Sequence, residues 1–206
     1  MGNAMPRWKA AVVAVPLAVC SFVSGYFVPA VAGQEDTPCP STSSEENVAL
    51  VRRLYEEGWG QGDIDALDDI LGDDYVLHIS GLSRVTLPGA DATNRGPAAM
   101  GETIERFRTG FPDLQVTVDD IVAEGDTVAA RTTWSGTQQN SLPAFDAPET
   151  GRHMDQETWG FARIECGRIV ELWALPDNLT MLRQLGIITD DELTDAGIPT
   201  VATPTS

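Results

Sequence analysis

Apolar positions set the first element of the chain. Val48, Val51, Leu54, Tyr55 and Trp59 recur at helical intervals. Ser43 with Glu46 three residues on forms a capping-box pattern at the start of this helix. Gly58, Gly60 and Gly62 end it. Asp63 then caps a shorter helix carrying Ile64, Leu67, Ile70 and Leu71. Gly72-Asp73-Asp74 breaks that helix, and Tyr75 to Ile79 reads as a short strand. Residues 81–94 are polar and irregular, the pattern of a rim loop. Pro97 opens a third helix with Met100, Ile104 and Phe107 as its stripe, stopped by Gly110 and Pro112.

Beyond residue 113 the period changes from helical to alternating. Leu114, Val116, Val118 and Ile121 alternate with polar residues, Gly125-Asp126 makes a turn, and Thr127 to Gln138 returns. Residues 140–150 hold two prolines and read as a loop. Met154 to Glu165 and Arg168 to Leu175 form a second hairpin about Cys166-Gly167. Pro176-Asp177 opens a last helix, and the end from Thr200 reads as disordered. Helices first and hairpins afterwards predict an α+β fold. A curved antiparallel sheet wrapped around helices would make a cone, whose open end suits a small-molecule pocket.

The first stretch stands outside this domain. Arg7 and Lys9 precede an almost wholly apolar run from Ala10 to Val28, followed by Ala30-Val31-Ala32. That order predicts a secretory signal peptide over residues 1–32 and a secreted or extracytoplasmic protein. An uncleaved anchor is the other reading, and it is the only route to a membrane. A polar arm over 33–44, a domain over 45–188 and an extension over 189–206 would follow. The 206-residue chain carries a net charge of −18, and loss of Arg7 and Lys9 would make it two units more negative. Such a field excludes nucleic acid as a partner. Two cysteines remain beyond the leader, Cys39 and Cys166. An isolated pair in an exported chain predicts a disulfide between arm and hairpin turn. Neither has histidines or further cysteines near it at ligand spacing, so no metal site is expected.

Several pieces resemble one family. They are Trp59-Gly60-Gln61-Gly62-Asp63-Ile64-Asp65-Ala66-Leu67, Asp74-Tyr75-Val76-Leu77-His78, Arg95-Gly96-Pro97, Phe111-Pro112-Asp113-Leu114, Gly167-Arg168-Ile169-Val170-Glu171-Leu172-Trp173, and Leu182-Arg183-Gln184-Leu185-Gly186. In order and spacing, residues 48–186 resemble the SnoaL-like polyketide cyclases, or ester cyclases, of the cone-shaped nuclear-transport-factor-like superfamily. The resemblance implies a small apolar ligand inside the cone and an intramolecular aldol ring closure that uses no metal or organic cofactor. Related cones pair through the outer sheet face, so it also implies a homodimer. One departure stands out: the position of the cyclases' catalytic aspartate falls on Ala174. Alanine moves no proton.

Candidate chemistry follows from the last hairpin. Pairing Ile164 with Ile169 puts Glu157, Trp159, Phe161, Leu172 and Ala174 on one face, while a bulge would swap part of this set. On that face Glu157 is a candidate general base between apolar walls, or else an exposed strand carboxylate. His78 could orient a ligand or relay a proton, or serve as a partly buried structural histidine. Tyr55, Trp59, Trp134, Gln138, Trp159, Phe161, Leu172 and Trp173 are the candidate ligand contacts, with core packing as the aromatics' other role. Three functions fit: a cofactor-independent cyclase, lyase or isomerase acting on a small apolar carbonyl compound; a non-catalytic binder, which tolerates Ala174; and a scaffold acting through its dimer face.

Overall fold

A computed structural model of the chain describes residues 39, 41–80, 95–142, 147–195 and 197. The leader, most of the arm, the rim loop at 81–94 and the terminal tail lie outside the described residues. Helix α1 (Ser44–Arg53) begins at the predicted capping box. The Ser43 hydroxyl accepts from the Glu46 amide at 3.2 Å, and the Glu46 carboxylate accepts from the Ser43 amide at 2.7 Å. The helix runs through Gly58 and Gly60. It widens into a π-helix over Leu54–Gln61 and ends at Gly62, whose φ of 75° is left-handed. The Arg108 guanidinium donates to the carbonyls of Trp59 (2.9 Å) and Gly60 (2.7 Å), which the helix end leaves without backbone donors.

Short helix α2 (Leu67–Ile70) leads directly into β1 (Leu71–Ile79). After α3 (Gly96–Gly110) come β2 (Gln115–Glu124), β3 (Thr127–Thr137), β4 (His153–Glu165) and β5 (Arg168–Pro176). Helices α4 (Asn178–Gln184) and α5 (Asp190–Asp195) follow. The five strands form one curved, unclosed sheet in the order β1-β5-β4-β3-β2. Its pairs are antiparallel except β1 with β5, which is parallel. Strand β1 also starts four residues earlier than the sequence pattern predicts. Leu71 pairs with Ile169 and is fully buried, so sheet pairing claims residues that read as helix end and breaker.

The predicted register at the β4–β5 turn is present: Ile164 opposes Ile169 and Glu165 opposes Arg168. The next pair is Arg163 with Glu171, so Val170 is an extra residue in β5. Beyond it Ala162 opposes Leu172 and Gly160 opposes Ala174. Met154, Gln156, Thr158, Gly160, Ala162 and Ile164 are buried toward the helices, and the residues between them face out. The face expected for the hairpin is therefore corrected. Leu172 and Ala174 keep the inner side, but Glu157, Trp159 and Phe161 exchange it for the outer one.

The β4–β5 turn is a two-residue type I′-like turn, with φ of 54° at Cys166 and 73° at Gly167. Cys166 is bonded to Cys39, the partner the sequence predicts. Nearby, buried Asn47 accepts from the Thr42 hydroxyl and donates to the Gly125 carbonyl in the β2–β3 turn at 2.8 Å. The start of the domain is thus fastened to both hairpin turns. The disulfide spans 127 residues of sequence, so it removes much freedom from the unfolded chain. Cys39→Ser, which leaves the Cys166 turn intact, should lower unfolding free energy by about 2–4 kcal/mol in a urea titration.

Candidate functional site

The concave face of the sheet meets the π-helix, and this places two of the candidate aromatics. Tyr55 and Trp59 both project from Leu54–Gln61 and are buried. Trp59 packs edge-on against Trp134 of β3, with ring centres 4.6 Å apart, and Phe107 of α3 closes on both. Trp134 donates its indole N–H to the Thr132 hydroxyl at 2.8 Å, which donates in turn to the Thr158 carbonyl at 3.1 Å. Leu172 lies on the same concave face.

Tyr55 reaches the floor of this face. A Cβ placed on Gly160 would stand 2.6 Å from the Tyr55 hydroxyl, so only a glycine lets the phenol lie there. That hydroxyl is buried and has no hydrogen-bond partner. Neither has Oε1 of Gln156 nor the hydroxyl of Thr158, at the two preceding inner positions of β4. Burial pushes the Tyr55 phenol well above its ordinary pKa, so it stays protonated and neutral. Ala174, where the resemblance would put an acid, opposes Gly160 and packs against the core.

Gln138 is buried too, but its side chain is occupied. It donates to the Pro148 carbonyl at 2.9 Å and accepts from the Thr150 hydroxyl at 2.6 Å, holding the β3–β4 connection.

The remaining candidates lie on the convex face. Trp159 and Phe161 are 52% and 54% exposed. Glu157 accepts from Arg131 at 3.0 Å, and Arg131 also binds Asp120 at 2.6 Å. Glu157 is therefore a half-exposed, paired carboxylate in a shallow outer cleft beside Trp159, Leu175 and Leu179, not a base inside the cone. His78 stacks flat on Trp173, ring centres 5.0 Å apart, with Nε2 3.5 Å from Glu171. Glu171 also accepts from Arg163 at 2.7 Å. The Arg163 hydrogen bond, more than the nearby charges of Arg163 and His78, holds the Glu171 carboxyl below the usual carboxylate range against the opposing effect of burial. The structure thus brings Tyr55, Trp59, Trp134 and Leu172 together inside, and sets His78, Glu157, Trp159, Phe161 and Trp173 apart from them outside. Gln156, Thr158 and Gly160 are inner-face residues that a search for ionisable groups passes over. The signal for them is their strict alternation with exposed neighbours.

A helix-filled concave sheet with aromatic and neutral polar groups at its floor defines a cone-shaped α+β fold. The sequence pattern of the SnoaL-like polyketide cyclases matches residues 49–185, and the chain belongs to that family. Among solved structures it is similar to TsrD from Streptomyces laurentii, at 28% identity, TM-score 0.60, and coverage of 71% of this chain and 99% of that one. IdmH from Streptomyces antibioticus, described as a candidate polyketide cyclase, is 33% identical with TM-score 0.56, over 68% and 98%. AclR from Streptomyces galilaeus, described as a candidate hydroxylase, is 26% identical with TM-score 0.58, over 71% and 100%. No curated protein matches the chain significantly.

The Glu171 pair carries a pH dependence. Because the folded carboxyl titrates below its unfolded value, its stabilisation is present above the ordinary carboxylate range and is lost as pH falls through the depressed value. Arg163→Met should raise the Glu171 titration midpoint in a carboxyl-carbon NMR titration. It should cost at most about 1 kcal/mol at neutral pH, because the pair is partly exposed.

Proposed function

We propose that this protein binds a small apolar, polyketide-like molecule inside the cone without catalysing its ring closure. One observation carries this reading: the buried polar residues of the described domain are Asn47, Thr132, Gln138, Gln156, Thr158 and Asn178, all neutral. Aldol closure needs a base that takes a proton from a carbon beside a carbonyl. Amides, hydroxyls and a protonated phenol do not supply one, and Ala174 leaves the expected acid position without a carboxyl group. The aromatic cluster of Tyr55, Trp59 and Trp134 supplies apolar contact area of the kind a flat ligand uses.

A second reading, a cofactor-independent ester cyclase or isomerase, is supported by family membership. It is also supported by the Tyr55 hydroxyl, a donor available to a developing enolate oxygen. Incubation of the purified protein with a panel of aromatic and poly-carbonyl compounds separates the two. Binding should quench tryptophan fluorescence while chromatography finds no product. Cyclised product formed at a rate above the protein-free control would establish the enzyme instead. Glu157→Gln should leave binding unchanged, since that carboxylate faces away from the cone.

Export and self-association belong to the same proposal. The Cys39–Cys166 bond is of the kind that persists in oxidising compartments. The convex face of this acidic chain exposes Val122, Trp159, Phe161, Trp173 and Leu175 beside arginines already matched by carboxylates. Two copies would meet there with little charge repulsion, burying an apolar strip. Phe161→Glu should convert a dimer to a monomer by light scattering while leaving the fold's circular dichroism unchanged.

A further inference from the structure

We propose that Gln156, Thr158 and Tyr55 form a hydrogen-bonding ladder that selects, among apolar molecules entering the cone, those carrying a hydroxyl group. The inference rests on the reading of the cone as a binding site and adds the chemical class of its occupant.

Its ground is three of the four buried side-chain polar atoms that lack a hydrogen-bond partner among the described residues: Gln156 Oε1, the Thr158 hydroxyl and the Tyr55 hydroxyl, the fourth being His78 Nε2 on the convex side, 3.5 Å from Glu171. Leaving such a group unpaired costs on the order of 1–3 kcal/mol, a cost that a bound molecule with matching groups would offset. The three are not scattered. Gln156 and Thr158 occupy successive inner positions of β4, about 7 Å apart by strand geometry. Gly160 is the next inner position, and the Tyr55 hydroxyl lies over it. The ladder therefore runs roughly 13–14 Å along one strand. Its apolar side is supplied by Trp59 and Trp134, whose indoles pack against each other over β3. The neighbouring Thr132 hydroxyl is already engaged by Trp134 and by the Thr158 carbonyl, so it adds no rung.

Each rung has a defined demand. An amide oxygen only accepts, so Gln156 Oε1 asks its partner for a donor. The Tyr55 hydroxyl is free to donate. Thr158, between them, can do either. An apolar ring with a hydroxyl at one end and an oxygen acceptor at the other meets all three. A hydrocarbon meets none, and an ether or ketone fails at Gln156. Gly160 is part of the device, because any side chain there would displace the Tyr55 hydroxyl.

The test compares 2-naphthol with 2-methoxynaphthalene, which share a ring system and differ in one donor, by tryptophan quenching of the purified protein. The wild type should bind 2-naphthol about tenfold more tightly, the equivalent of one net hydrogen bond. Gln156→Met should abolish the preference by weakening 2-naphthol alone, and Thr158→Val should reduce it. The ligand-free Gln156→Met protein should be as stable as the wild type or more so, because it removes an unpaired buried acceptor. Equal binding of both probes by the wild type, or a preference that survives Gln156→Met, overturns the ladder while leaving the cone a binding site. A clear loss of stability in Gln156→Met would assign the group to internal water instead, and overturns it as well. If neither probe binds at saturating concentration, the binding reading fails and the ladder falls with it.

Discussion

Between Ile169 and Glu171, strand β5 uses two residues where β4 uses one. Side chains alternate across a sheet, so that extra residue re-pairs everything beyond it. Ile164 and Ile169 are both buried, so the inner face of β4 is set at the turn and runs through Ala162, Gly160, Thr158 and Gln156. Had Val170 been paired in the ladder, Leu172 and Ala174 would oppose Phe161 and Trp159 on the outside, and Glu171 and Trp173 would point at the helices. With the bulge, Leu172 and Ala174 come inside opposite Ala162 and Gly160, and Trp173 joins Phe161 and Trp159 on the convex face. The inner lining from β5 and the outer aromatic strip are two consequences of one irregularity.

The π-helix meets the bulged hairpin from the other side. A π-helical turn is wider than an α-helical one and is costly enough to be rare, so it survives where the surrounding structure uses it. Here its residues bring Tyr55 to Gly160 and Trp59 to Trp134. The wide turn is held at its end by Gly62 and by the Arg108 guanidinium on two carbonyls. The concave floor is therefore assembled from a helix fixed by α3 and a hairpin whose second strand carries the bulge. It sits well away from the disulfide-bonded turn, which secures the start of the domain.

Local chemistry was legible in the sequence, and counting across distance was not. The Ser43–Glu46 box, Pro97 at the start of α3, the turns at Gly125 and Cys166, and the Cys39–Cys166 pairing all follow from residue types at short spacing, and all are present. The parallel partnership of β1 with β5 was hidden, because nothing in the Leu71–Ile79 segment names a partner nearly a hundred residues away. The match between the faces of β4 and β5 was hidden for a subtler reason. A bulge at Val170 leaves no mark in composition, since valine suits a regular strand as well. Gln156 and Thr158 escaped because neutral polar residues give no titratable signal. They become conspicuous only when burial and the lack of partners are known together.

The separation of charge follows from the same geometry. The carboxylates of the sheet's exposed face pair with Arg131 and Arg163, while the concave side keeps amides, hydroxyls and rings. A ligand held among neutral groups gains little from the protein's large negative charge beyond what long-range repulsion imposes on anions. Its affinity would then vary little with pH across the range in which its own groups stay neutral. The convex face behaves differently, because Glu171 sits between Arg163 and His78 there, and protonation of its carboxylate alters the charge beside Trp173. The two faces of a single sheet thus differ in kind: the inner one is lined by neutral groups, and the outer one sets an apolar strip beside paired charges.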